Sequence, residues 1–441
     1  MRDIAHMLAN NKVYIIALLI SIIFVFYSKP GHAQWSWDNR YLMQGDGVVM
    51  GGLGFSRING QNYLLFNLRT DLAFGQFGLG VDIPLRVNTD TGKIRNEDWN
   101  TTEDYLRTIR YARYGRKRQT PVYARVGSIG TAKLGHGFIM NYYTNEAEFQ
   151  NRKIGSEFDL KFRMFGLETV VSNYKTLEII GGRANVRPLR NIGSLGLLSK
   201  LTFGGTYITD RSEQVSSSTD SSITISGLDV ELPLLYTGPF FSHIYADYAR
   251  IHSYGSGKSI GIELGLWKLS DLLTVSAKVE RRFLGTRFLP SYFDAFYEVQ
   301  RFRNTEDGVF YKADFLNQIT EKQKGFYGEL FGHVARVIRL LGTFEKLDGV
   351  PHSGQLHLAA MLAKFSKFSG RAVYDRTGID TFGDVFKLDE RSMLRMGLGY
   401  QLNSMLYIFM DYIWTFKVNP VTQRLETEKR FEPQLSLVVP L

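Results

Sequence analysis

The sequence predicts an all-β fold, a single transmembrane antiparallel up-and-down β-barrel of about 18–20 strands with long loops at one rim and tight turns at the other. Three observations predict it. Apolar and polar residues alternate along many segments of about ten residues, which is the length a tilted strand needs to cross a bilayer. Beyond the N-terminus no run of residues is apolar enough for a membrane helix. Long polar connections alternate with very short ones.

The alternation is explicit. From Phe77 the odd positions read Phe77, Leu79, Val81, Ile83, Leu85 and Val87, and the even ones Gly78, Gly80, Asp82, Pro84 and Arg86. Phe158, Leu160, Phe162 and Met164 oppose Asp159, Lys161 and Arg163 in the same way, and Leu273, Val275, Ala277 and Val279 oppose Thr274, Ser276, Lys278, Glu280 and Arg282. Side chains of successive strand residues point to opposite faces, so each segment has one apolar and one charged face. The closed interior of a soluble sandwich would not accept the charged face. Laid end to end, the strands start near Gly47, Gln61, Phe74, Glu103, Pro121, Lys153, Gly166, Leu177, Leu198, Ser221, Phe240, Lys258, Asp271, Lys324, Arg336, Ser353, Phe368, Arg391, Ser404 and Arg430.

Composition agrees with this reading and closes off others. The chain of 441 residues has no cysteine, 43 glycines and 14% aromatic residues. Disulfide scaffolds, thiolate metal sites and cysteine nucleophiles are therefore excluded. At the N-terminus, Arg2 and Lys12 precede an uncharged run from Val13 to Tyr27, and Gly31-His32-Ala33 supplies small residues at a cleavage site. Residues 1–33 read as a cleavable signal peptide and 34–441 as the barrel. Removing the leader lowers the formal charge from +10 to +8.

If the first strand runs outward, the long connections fall on one side, at Asn88–Thr102, Gly130–Arg152, Arg211–Asp220, Gly285–Gln323, Asp348–His352, Thr377–Glu390 and Val418–Lys429. Short outer turns are expected at Asn59-Gly60 and Lys175-Thr176. The last strand carries Leu435, Leu437, Val439 and Leu441 in alternation. On these features the chain resembles the outer-membrane β-barrels of Gram-negative bacteria, porin-like in kind. Leu441 stands where such barrels commonly end in Phe. The segments Lys133–Asn141 and Pro290–Val299 are similar to barrels of Bacteroidota-like bacteria, a likeness that brings no activity with it. The resemblance implies export to the outer membrane and long extracellular loops. It also implies outer-membrane lipid, the barrel assembly machinery and small polar solutes as partners, allows a homotrimer, and leaves nucleic acid no role.

The charged face is then the lumen. Its expected pore-lining residues are Arg69, Asp82, Arg86, Asp159, Lys161, Arg163, Glu263, Lys278, Glu280, Arg282, Glu329, Arg339, Arg395 and Asp411, joined on the same face by Asp71, Lys200, Asp229, Glu231, Glu345 and Lys417. They read either as a cross-strand ionic lattice or as the lining of a water-filled path. The basic run Arg107, Arg110, Arg113, Arg116, Lys117, Arg118 and Arg125 reads as a solvated turn near lipid headgroups, its early threefold spacing also fitting a short helix.

No cofactor, metal or catalytic site is expected. His136, His243, His252, His333, His352 and His357 fit no zinc motif, and no G-x-S-x-G occurs. Two loops exceed what a connector needs. Gly130–Arg152 is apolar and carries Gly135 and Gly137, so it is expected to fold inward as a constriction formed by Leu134, His136, Phe138, Met140 and Tyr142. Gly285–Gln323 has aromatic spacings that fit two short amphipathic helices, as a lid or a rim-packed loop. The function expected is a channel for passive diffusion of small polar solutes. The alternative is a loop-plugged barrel serving as a docking or export-associated surface.

Overall fold

A computed structural model describes residues 48–440 apart from residues 59, 101, 116, 118, 119, 148–152, 212–221, 270, 271, 306, 307, 336 and 419–424. The expected leader and Leu441 lie outside the described residues. In chain order the strands are β1 (Val48–Ile58), β2 (Gln61–Phe74), β3 (Phe77–Asn88), β4 (Ile109–Tyr114), β5 (Val122–Gly127), β6 (Gly155–Lys161), β7 (Phe165–Val171), β8 (Ile179–Val186), β9 (Thr202–Asp210), β10 (Ile223–Thr237), β11 (Phe240–Ile251), β12 (Ser256–Leu269) and β13 (Leu273–Leu284). A small hairpin follows, β14 (Phe302–Thr305) and β15 (Gly308–Tyr311). The chain then returns to the wall with β16 (Gln323–Val334), β17 (Ile338–Leu347), β18 (Gly354–Phe365), β19 (Phe368–Ile379), β20 (Ser392–Gln401), β21 (Leu406–Val418) and β22 (Leu425–Pro440).

All but the small hairpin belong to one 20-stranded sheet, in which each strand pairs antiparallel with its neighbours in sequence. The sheet closes on itself through β1 and β22, from Val48 opposite Pro440 to Ile58 opposite Arg430. This seam is less regular than the hairpins. Between Gly54 opposite Gln434 and Arg57 opposite Phe431 the pairing lapses, and the lapse contains Pro433, which has no N–H to offer. No helix among the described residues is long and apolar enough to cross a membrane.

Closure turns the alternation into an inside and an outside. On β13, Val279 points out and is exposed, whereas Lys278, Glu280 and Arg282 point in and are buried. Exposed Phe66, Leu228, Ile260, Leu264, Leu330, Leu340, Met396 and Leu435 continue the apolar outer belt. Sheathing that much apolar surface in hydrocarbon supplies the driving force that a soluble core would otherwise provide.

The glycines of the inner face have a packing reason. A Cβ at Gly261 would lie 2.3 Å from the ring of Tyr245, and one at Gly265 2.2 Å from that of Phe241. A bulky side chain on one strand lies over a glycine of the next, which lets the strands stay at ladder distance while the lumen remains lined by rings.

Four features depart from the expectations. Strand β4 starts at Ile109, not near Glu103, because a short helix, α1 (Thr102–Leu106), lies just before the basic run, whose Arg110 and Arg113 are on the strand instead of on a helix. Arg110, Arg113 and Arg125 are buried against the inner wall rather than solvated in a turn; Arg110 reaches Asp71 at 3.1 Å, and Arg125 lies 4.3 Å from the Tyr111 ring. The connection 187–201, with a 3-10 segment at Gly193–Lys200, is a long one on the tight-turn rim, so the loop asymmetry is not complete. Residues 252–255 add one more short turn on the long-loop rim.

Candidate functional site

The loops 128–154, between β5 and β6, and 285–322, between β13 and β16, fold into the barrel and pack on each other. Asn141 N donates to Phe293 O at 3.0 Å, Phe293 N to Ile139 O at 3.2 Å, and Ser291 N to Phe138 O at 2.8 Å. The first loop reverses sharply to get there, with Gly137 at φ +94° and an added Cβ there only 2.5 Å from Asn141 Oδ1. A side chain at that position would be strained twice, by its backbone and by its neighbour. The second loop carries α2 (Tyr297–Gln300) and α3 (Lys312–Gln318) on either side of the β14–β15 hairpin. The two short helices agree with the sequence reading; the hairpin between them was not foreseen.

What holds the loops inside is a core with members from both loops and the wall. Leu134, Phe138, Met140 and Tyr143 meet Phe288, Tyr292, Phe293, Tyr297 and Leu316, and the cluster continues into Ile179, Ile208, Ile223, Ile251 and Leu284 of the wall. Burying each such side chain contributes about 1.5–3 kcal/mol. The wall residues explain the depth at which the plug sits. On β11 the inward positions run Asp247, Ala249, Ile251, and on β13 Glu280, Arg282, Leu284, so the inner face changes from charged to apolar as each strand nears the long-loop rim.

Below this core, charged groups tie the plug to the wall. His136 stacks on Tyr245 with ring centroids 3.9 Å apart, and its two nitrogens lie 3.0 Å from Asp247 and 3.4 Å from Glu231. Burial alone would lower this imidazole, but the hydrogen bonds to Asp247 and Glu231 raise it to about 9. Lys278 donates to the His136 carbonyl and pairs with Glu280 at 2.6 Å. Lys133 pairs with Glu329 at 2.7 Å, and Arg395 with Glu146 at 3.0 Å. A second knot forms at the rim, where Arg301 meets Glu178 at 2.9 Å, Asp210 at 3.4 Å and Glu298 at 3.6 Å. Tyr297 donates to Asp210 at 2.8 Å, and Lys153 pairs with both Glu178 and Glu298. Burial would raise the Glu178 carboxyl, yet Lys153 and Arg301 hold it at about 2.

The expected constriction residues Leu134, Phe138, Met140 and Tyr142 are buried inside the barrel, and His136 lies between them. The expected wall residues fall into three groups. Lys278, Glu280, Arg282, Glu329 and Arg395 contact the plug or its immediate support; Arg282 bridges Glu280 at 2.8 Å and Glu345 at 2.7 Å and comes within 3.3 Å of Ser291. A lattice away from it joins Arg69 to Asp82 at 3.2 Å and to Asp411 at 4.0 Å, and Arg86 to Glu432 and Asp98. Glu263 pairs with His243 at 3.2 Å; Asp159 and Arg339 lie half-buried on the inner face.

Lys161 ends β6 and is exposed, and Arg163 is corrected: it sits in the exposed turn 162–164, not on the wall, because β6 stops before the alternation does. Lys200 likewise falls in the 3-10 segment on the turn rim. The side chain of Lys417 lies outside the described residues.

Sequence reasoning missed Arg301 and Asp210, since a loop arginine carries no periodic signal. It also missed the pairing of His357 with Asp375 at 2.5 Å, over which Tyr142 stacks at 4.6 Å. That pair was accessible in principle, because strands β18 and β19 set His357 opposite Asp375.

No family model and no curated protein matches the chain. Solved structures similar to it include CdiB from Acinetobacter baumannii, at 6% identity and TM-score 0.28 over 90% of this chain and 60% of that one. The outer membrane protein OpdK from Pseudomonas aeruginosa is similar at 9% identity and TM-score 0.33, over 89% of this chain and 99% of that one. The ferric-catecholate import receptor Fiu from E. coli K12 is similar at 8% identity and TM-score 0.33, over 90% and 82%. The chain thus spans less than two thirds of CdiB, and likeness of this degree adds nothing to what its own strand pairing establishes.

Proposed function

We propose that the protein is an outer-membrane channel of a Gram-negative bacterium, passing small polar solutes by diffusion through a barrel that its own two loops narrow. A 20-stranded barrel is too wide for wall side chains alone to close. The observation that carries the reading is that the charged wall stays partly open to water around the plug. Inward-facing Glu263 and Arg371 keep 29% and 22% of their side-chain surface exposed, and Glu231, Glu329 and Arg395, which touch the plug, still keep between 19% and 27%. Carboxylates and guanidinium groups of both signs beside an apolar plug suit hydrated solutes of either charge, with weak ion preference. The protein acts without chemistry of its own on what passes.

The second reading, a plugged barrel that serves as a docking or export-associated surface, is favoured by the size of the apolar core the loops share. Planar-bilayer recording separates the two. The channel reading expects discrete conductance steps from the purified protein, and steps several-fold larger when Thr131–Ala147 is replaced by a short Gly-Ser linker in a chain that still assembles. Absence of steps in both proteins would leave the docking reading.

A further inference from the structure

We propose that the outer, lipid-facing wall carries a docking site for a phosphorylated acyl lipid at the long-loop rim of β11, β12, β13 and β16. The inference rests on the membrane placement proposed above and is independent of solute passage. Register sets one residue from each of these strands directly opposite the next, Tyr248, Lys258, Phe283 and Lys324, all on the outward face. Arg250 lies on the same outward face, two residues nearer the rim than Tyr248. Arg281, in the neighbouring row, is already matched by Asp348 at 2.5 Å and lies 4.1 Å from the Phe326 ring. Arg250, Lys258 and Lys324 are exposed; Arg250 and Lys258 form no ion pair among the described residues, and Lys324 shares Asp348, electrostatically, with Arg281.

Lys258 also stands at the lip of an open depression of about 520 Å³ in the same face, lined by Phe203, Leu228, Val230, Ala246 and Ile260, and by Asp229 and Asp247, whose carboxylates are held on the inner side by Arg183 and His136. Apolar walls with cations and aromatic rings on one side fit a ligand that is apolar at one end and anionic at the other. An acyl chain fills the depression while the phosphate lies against Lys258, flanked by Arg250 and Lys324. Phosphate is the lipid group that both carries the matching charge and accepts several hydrogen bonds. A second copy of the chain would set like charges face to face along this row.

The test uses the full chain in detergent, offered dimyristoyl phosphatidic acid and dimyristoyl phosphatidylcholine at equal mole fraction, with bound lipid counted by native mass spectrometry. The expected result is at least five-fold preferential retention of phosphatidic acid. It should fall to near parity in the triple variant Arg250→Gln, Lys258→Gln, Lys324→Gln and stay unchanged in Lys93→Gln, an exposed cation in a distant loop. Equal preference in the triple variant and the parent would overturn the site, as would displacement of the lipid by millimolar inorganic phosphate. A dimer in place of lipid adducts would overturn it in favour of self-association. The triple variant should keep its heat-modifiable migration, and a parent protein soluble without detergent would strike the membrane placement instead.

Discussion

At the scale of single residues, His136 has the most direct consequence. It faces Asp247 and Glu231 with its nitrogens, Tyr245 with its ring and Lys278 through its carbonyl. Its protonated form is favoured by the folded loop, so the stabilisation is complete below the ordinary histidine value near 6.5 and disappears as pH rises through about 9. Hydrogen exchange of amides 134–140, corrected for intrinsic rate, should therefore speed up between pH 7 and 9.5, and His136→Asn should flatten that dependence. Glycine offers a second test. Gly261→Leu must displace a Tyr245 ring whose hydroxyl is held by Glu280 at 2.9 Å, a strain of about 1–3 kcal/mol, while Gly332→Ala meets open space. The first should lower the fraction of compact, heat-modifiable protein on gels and the second should not. Which inner residues are charged was legible because strand period fixes the face. Which of them pair was not, since pairing depends on register, and the sequence states that only where a tight turn pins it.

At the scale of elements, the plug loops depend on Arg301. It balances Glu178, Asp210 and Glu298 in a buried site, so Arg301→Met takes one cation from three carboxylates that face one another, and Lys153 pairs with only two of them. Losing one partner of a buried ionic cluster costs about 3–5 kcal/mol. Protease cleavage within 285–322 should accelerate by orders of magnitude while the barrel stays intact; an unchanged rate would place the loop's support in its apolar core alone. The inward folding of 128–154 was legible in the sequence, because an apolar loop with two glycines has to bury itself. That 285–322 joins it was not, since aromatic spacing gives short helices but not their direction. The signal that decides direction is on the wall, in Ile251, Leu284 and Leu347 at the inner rim, and it becomes visible only once strand ends are known. The connection 187–201 escaped for the opposite reason. Its Leu195, Leu197 and Leu198 look like strand alternation, yet glycines at 193 and 196, the latter at φ +55°, break it.

At the scale of the whole molecule, the inside and outside of the wall are the firmest result. Leu264→Arg or Leu330→Arg puts a cation on the apolar belt, costing about 2–4 kcal/mol near the bilayer midplane, whereas Glu263→Gln changes a partly wet inner position. Assembly yield should fall for the first two and hold for the third; equal behaviour would mean that the faces are reversed. The fold was legible almost strand for strand because a closed barrel needs one local pattern repeated, and each hairpin is specified by its own residues.

The seam is different, and it gives the wall a direction in time. Every other pair in the wall joins strands that follow one another around it, β13 and β16 across the inserted β14–β15 loop, but β1 and β22 bring together positions as far apart as Val48 and Pro440. Relative to a hairpin of about a dozen residues, closing a loop of that length adds roughly five doublings, or about 3 kcal/mol of chain entropy. The pairing there lapses beside Pro433, so fewer backbone bonds are on hand to offset it. Nineteen hairpin-linked contacts can thus form as an open, curling sheet before the last one locks it, and when the wall is pulled apart or heated, that junction is where it should first come open.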